Sequence, residues 1–356
     1  MTTEPTPTST PTLTATPLTT SDRTPPWTGS RLSGLADILG MLIVLGCLVL
    51  LFGLLSNHFW TGQTPRIIVN QIADLTVVSV GMTLVLVIGG IDLSVGSVLA
   101  LAGCVLGIAI ADWGWPFWLA LAACLGIGGV CGLANGMVSV LWSIPSFIVT
   151  LGMLEVARGA AYLVTDSETK YIGPRVEWIA RPIAGLGISS AFLIALLLVV
   201  LGHLLLTRTI LGRYMIAVGT NEEAVRLSGI DPRPVKLTTF VLSGLLAGLG
   251  ALFQVARVSS ADPNGATGME LSAIAAVVIG GTSLMGGRGS VLRTFLGVLI
   301  IATLQTGLAH IGASEPAKRM ITGAVIVLAV IADVHRGSWV KMSSRVLQRV
   351  RSRAPG

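Results

Sequence analysis

The stretch 67–111, IIVNQIADLTVVSVGMTLVLVIGGIDLSVGSVLALAGCVLGIAIA, holds two apolar runs separated by one short break. Asp74 and Asp92 are its only charged residues. A helix that crosses a bilayer needs about 20 mostly apolar residues, because a rise of about 1.5 Å each must cover about 30 Å of hydrocarbon. The first run, 67–89, meets that length, and the second, 94–111, comes close to it. The sequence between them, Gly89-Gly90-Ile91-Asp92-Leu93-Ser94-Val95-Gly96, is too rich in glycine and polar groups to continue a helix.

The same reading extends along the chain. Of its 356 residues 53% are hydrophobic and 11% charged, with a mean hydropathy of +0.83. Soluble domains carry about a quarter charged residues, so no soluble core accounts for this composition. Ten apolar stretches follow one another: 35–55, 67–89, 94–111, 117–140, 146–165, 183–206, 237–257, 269–284, 291–311 and 319–334. The eighth is short and ends in a glycine cluster. The expected fold is an all-α integral membrane protein of about ten transmembrane helices. Residues 1–30, Thr/Pro-rich, read as a disordered tail. Residues 31–335 form the transmembrane domain, with its longest polar connection at 207–236, and 336–356 form a basic tail. The head has neither the basic start nor the cleavage pattern of a secretory signal. Cys47, Cys104, Cys124 and Cys131 lie in apolar runs and read as small packing residues.

Orientation follows from the excess of Lys and Arg on cytoplasmic connections. With the N-terminus inside, 15 of the 23 basic residues fall inside, seven outside, and Arg158 within a stretch. An even count then returns both termini to the cytoplasm of a cell inner membrane. The basic residues are spread over connections and tail, which fits membrane lipid and not nucleic acid. The final Arg336, Lys341, Arg345, Arg349, Arg351 and Arg353 suit anionic lipid.

An internal echo links two regions. Val87-Ile88-Gly89-Gly90 and the following Leu93-Ser94-Val95-Gly96-Ser97-Val98-Leu99 resemble Val278-Ile279-Gly280-Gly281 and its continuation to Leu292. Duplicated halves with Gly-interrupted helices are common in transporters. Shared turn chemistry would give the same pattern.

Charges in apolar surroundings are costly and usually face protein or water. Glu155 and Arg158, three apart on one helix, read as a local ion pair. Asp92 reads as a cap for the helix after its break. Asn70, Gln71, Asp74, Asp92 and Asn135 are the candidates for a polar translocation path, and they could equally join helices. Gly126, Gly128, Gly129, Gly132 and Gly136 read as close-packing positions. The chain carries no phosphate-cradling GxxxxGK[ST] loop, HExxH or GxSxG motif, so no catalytic residue and no metal site is expected.

The connection Leu211–Pro232 is the most informative polar stretch. Thr220 with Glu223 three residues on forms a capping box, Gly229 is a stop, and Pro232 forbids a return to helix. A helix of about two turns is therefore expected from Asn221 to Ser228, with Ala224 and Leu227 on one small apolar face.

Together, GMTLVLVIGGIDLSVGSVLALAG (81–103), LGRYMIAVGTNEEAVRLSGI (211–230) and AAVVIGGTSLMGGRGSV (275–291) resemble the permease subunits of ATP-binding-cassette sugar importers of the ribose, xylose and arabinose type. The resemblance covers nearly all of 35–335; the long head and basic tail depart from it. It implies a homodimer of ten-helix permeases, an ABC ATPase subunit that holds ATP and Mg, and an extracytoplasmic sugar-binding protein. It implies a coupling role for Asn221, Glu222, Glu223, Ala224, Arg226, Leu227, Ser228 and Gly229, and import of a ribose-like pentose or related sugar with no cofactor in this chain. A branched-chain amino acid permease and an ion-coupled secondary transporter are the rival readings.

Overall fold

The structure, a computed structural model, describes residues 31–56, 59–328 and 331. The expected tails at 1–30 and 336–356 lie outside the described residues. Twelve named α-helices follow in order: α1 Arg31–Leu55, α2 Gln63–Gln71, α3 Ala73–Val87, α4 Val95–Ala111, α5 Phe117–Leu141, α6 Ser146–Val164, α7 Ser190–Arg208, α8 Ile210–Thr220, α9 Glu222–Leu227, α10 Arg233–Val258, α11 Met269–Ile279 and α12 Val291–His310. Residues 315–328 are also helical. Each of the ten apolar stretches thus carries helix. Six helices are long and apolar enough to cross a membrane, and α2 with α3, bent by 47°, makes a seventh candidate. At 17 and 11 residues, α4 and α11 are shorter.

All fifteen residues of α3 are buried. It forms the axis of the bundle, surrounded by α7, α10, α11 and α12. A helix apolar on every side belongs in such a position, since no face of it needs water. The outer helices α1 and α6 instead leave Leu54, Leu151, Val156 and Leu163 exposed, as lipid contact allows. Trp60, Trp113, Trp118, Trp142 and Trp178 are exposed at or near helix ends, where amphipathic rings anchor a membrane protein at its interfaces.

The tightest helix pair is α5 with α10. A Cβ added at Gly128 would lie 2.2 Å from the Gly244 carbonyl oxygen, and one at Gly132 would lie 2.3 Å from that of Phe240. Only glycine lets the two backbones approach this closely, and dispersion contacts between them take the place of a hydrophobic drive that lipid does not supply. Gly126, by contrast, faces open space. Cys124 donates its thiol to the Gly248 carbonyl within the same seam, a packing role of the kind expected.

Several expectations are corrected. The sixth stretch becomes helix only at Ser190, because Pro182 and Ser189 close an antiparallel bridge and hold the residues between them in a turn. The eighth ends at Ile279, where Gly280 is the C-cap and Gly281 takes a φ of +76°. The polar connection at 207–236 contains an additional helix, α8. The fold is not wholly helical: β1 (Lys170–Tyr171) pairs antiparallel with β2 (Ser260–Ala261).

Candidate functional site

The break after α3 is the first element to account for. From Ile88 to Ser94 the backbone leaves the helix, and buried amide and carbonyl groups without partners would each be destabilising. Neighbouring helices supply the partners. Ser146 of α6 accepts the Ile91 N–H at 2.9 Å, and Thr150 accepts that of Leu93 and donates to the Ile91 carbonyl, both at 3.1 Å. Asp92, 2% exposed, accepts the Ser94 N–H at 3.1 Å and the Ser94 hydroxyl at 2.6 Å with one oxygen. Its other oxygen accepts the Ser243 hydroxyl of α10 at 3.1 Å. Asn135 of α5 donates to Ser94 Oγ at 2.9 Å. Asp92 and Asn135 therefore meet through Ser94 in a buried knot at the start of α4. Asp92 closes a turn before that helix and does not cap its first amides as expected.

At the other end of α3, Asp74 is 3% exposed and accepts Arg257 of α10 at 2.7 Å. Its second oxygen receives the Leu75 N–H at 2.8 Å. This pair borders a cavity of about 790 Å³ whose wall also includes Gln71, Thr267, Ser272, Gln305 and Thr306. His310, Glu315, Lys318 and Arg319 border it too, so its wall mixes charged groups with amides and hydroxyls. Asn70 is engaged elsewhere: its side chain donates to the Gly187 carbonyl at 3.1 Å and accepts the Ser189 N–H at 2.7 Å, which pins the turn before α7. Of the five candidate path residues, Gln71 and Asp74 share a cavity, Asp92 and Asn135 share a knot, and Asn70, on α2, holds the turn before α7.

The expected Glu155–Arg158 pair does not form. Arg158 donates instead to the carbonyls of Pro263 and Gly265, at 2.5 and 2.9 Å, and Glu155 is exposed on α6. Arg158 thereby satisfies non-helical backbone in the segment joining β2 to α11. That segment returns alongside α4: Ala261 lies against Gly107, whereas Ala266 lies against Gly96.

The short helix α9 has defined ends, but its cap is one residue later than expected. Thr220 completes α8 and donates its hydroxyl to the Ile216 carbonyl at 2.7 Å. Asn221, in extended conformation, is the N-cap and accepts the Ala224 N–H at 2.9 Å. Gly229 follows at φ +83°, the left-handed stop. Val225 is the buried anchor, while Ala224 is exposed and Leu227 is 81% exposed. Glu222 is paired with Lys236 of α10 at 2.5 Å, and Glu223 with Arg226 at 2.6 Å. The hydrogen bond and charge of Glu223 hold the Arg226 guanidinium above its ordinary pKa. Among the described residues no cluster of His, Cys, Asp and Glu could hold a metal ion.

A multi-helix apolar bundle interrupted by two Gly-Gly breaks, with a short capped helix left exposed, is the architecture of a multi-pass membrane protein. Residues 65–330 match the family described as "Branched-chain amino acid transport system / permease component", and the chain belongs to that family of multi-pass membrane proteins. It is 39% identical to the ribose import permease of Escherichia coli K12, over 82% of this chain and 92% of that protein. It is 36% identical to the galactofuranose transporter permease of the same strain, over 84% and 89% of the two chains. To the fructose import permease of Rhizobium meliloti it is 32% identical, over 84% and 85%. No solved structure matches.

Proposed function

We propose that this chain is the membrane-spanning permease subunit of an ATP-driven importer for a monosaccharide or a closely related sugar, seated in the cell inner membrane with both termini cytoplasmic. The family's description names branched-chain amino acids, but the relatives with the highest identities here carry sugar names, which favours the sugar. Two copies form the translocation unit. A separate ATPase subunit binds ATP and Mg and performs the hydrolysis, and an extracytoplasmic binding protein delivers the sugar.

The observation that carries this reading is α9. A six-residue helix is too short to be stable alone. Here it is capped at both ends, anchored by Val225, and leaves Ala224 and Leu227 without cover. That is the geometry of a knob for another protein's groove, and it fits the ATPase. Gln71 and Asp74, with the cavity they border, are the favoured polar contacts along the sugar's route. Asp92 and Asn135 hold the bundle together beside it.

The test is reconstitution. Liposomes holding the permease should accumulate labelled pentose only when the ATPase, ATP outside-facing to that ATPase and the loaded binding protein are all present. Accumulation driven by an ion gradient with the permease alone would establish the secondary transporter instead.

A further inference from the structure

The two sequences that echo one another, 87–99 and 278–292, meet in space. The amide of Gly287 donates to the carbonyl of Val87 at 2.9 Å, joining the break between α11 and α12 to the end of α3. A third segment enters the same point. Gly219, in the last turn of α8, lies so close that a Cβ on it would be 1.8 Å from the Val87 carbonyl oxygen and 2.6 Å from the Gly287 nitrogen. A Cβ on Gly286 would be 2.8 Å from the Gly219 carbonyl oxygen and 2.9 Å from the Gly89 Cα. Three chain segments thus touch backbone to backbone, with no side chain between them.

We infer that Gly89, Gly219, Gly286 and Gly287 form a rigid junction that carries movement of α9 to both helix breaks together, an inference that rests on the importer reading above. Side chains can absorb a displacement by changing rotamer, but abutting backbones cannot, and close-packed interiors transmit strain. The junction is tied directly to α9. Thr220 follows Gly219, and Asn221 caps α9 while donating its own N–H to the Ala217 carbonyl of α8 at 3.0 Å, so no flexible linker separates the two helices.

The other routes from α9 run through side chains, which can shift by rotamer: Val225 belongs to the buried cluster that also holds Val85, Val87 and Ile88. A cavity of about 650 Å³, bordered by Glu222, Arg226 and Gly229 on one side and Gly89 and Gly90 on the other, separates α9 from the first break. The Glu222–Lys236 pair links α9 to α10, but its side chains are 48% and 27% exposed, so solvent and salt weaken it. The backbone contact at Gly219 is the stiff connection. Through it, displacement of α9 shifts the end of α3, whose continuation runs into the Asp92 knot, and the turn that starts α12.

The test uses the full permease reconstituted with its ATPase and binding protein. Gly219→Ala wedges a methyl group against the Val87 carbonyl. Gly287→Ala, at a φ of +73° that itself strains alanine, places one 2.5 Å from Thr220 Oγ1 and 3.0 Å from Thr220 Cα, of which Thr220→Ala removes the first contact. Gly152→Ala, in open space on α6, is the control. Both wedge variants should assemble with the ATPase and keep basal hydrolysis. Stimulation by loaded binding protein and sugar uptake should each fall about tenfold, within the range of coupling between distant sites. Thr220→Ala should restore part of the uptake lost in Gly287→Ala, and the control should match the parent. The proposal is overturned if both wedges transport as the parent does, or if uptake falls only in step with assembly, which would make the contact a folding requirement alone. Absence of ATPase-dependent uptake in the parent would instead defeat the importer reading itself.

Discussion

The two helix breaks share the sequence Val-Ile-Gly-Gly yet are held in opposite ways. The first, between α3 and α4, adds to its own Asp92–Ser94 turn hydrogen bonds from three other helices: Ser146 and Thr150 of α6, Asn135 of α5 and Ser243 of α10. The second, between α11 and α12, folds mostly on itself. Ser283 donates its N–H to the Arg288 carbonyl at 3.0 Å, the Ser283 hydroxyl accepts the Met285 N–H at 3.2 Å, and Ser290 donates its N–H to Thr282 Oγ1 at 3.4 Å. Gly281, Gly286 and Gly287 supply positive φ angles that other residues adopt only with strain. One break is therefore a tertiary structure and the other a local turn. A membrane protein must satisfy freed backbone groups, and either solution serves.

This contrast makes graded predictions. Asp92→Ala removes the acceptor for three buried donors and should destabilise the solubilised permease by about 3 kcal/mol, lowering its melting temperature by about 4 °C. Thr150→Val keeps the shape but abandons the Ile91 carbonyl and the Leu93 amide, and should cost about 1–2 kcal/mol. Thr282→Val loses one long hydrogen bond in the second break and should cost about 0.5 kcal/mol. Met285→Ser, at a site 88% exposed, should change stability by less than about 0.5 kcal/mol. Thermal unfolding of the four variants in one detergent checks the order, and a second break as sensitive as the first would remove the distinction.

What the amino-acid sequence discloses depends on how local each cause is. Hydrophobic runs and glycine breaks are local, so helix was legible in all ten stretches. The ends of α9 were nearly legible: Thr220 and Asn221 are adjacent and both able to cap, and the choice fell to Asn221 because α8 continues through Thr220. That continuation went unseen, since α8 lies in a polar connection and carries Gly212 and Gly219. Partners distant in sequence were hidden. Arg158 is three residues from Glu155 but bonds to carbonyls of residues 263 and 265. Asp74 meets Arg257 from 183 residues away. Pairing between such residues is set by how α6 and α10 lie in the bundle, which periodicity alone does not specify. The echo was visible as a repeat, whereas the contact between its two copies depends on α8 and became apparent only in three dimensions.

We propose α9 as the surface through which an ATPase drives this permease. Because Ala224 is exposed and makes room for a partner, Ala224→Arg should leave insertion and folding unchanged while placing a large charge in an apolar contact. The direct measurement is ATP-dependent sugar uptake, together with ATPase pull-down, on membranes of equal permease content. Both should fall about tenfold or more, consistent with an interface hot spot of more than about 1.4 kcal/mol. Uptake and ATPase binding equal to those of the parent would contradict it and leave α9 as an ordinary structured loop.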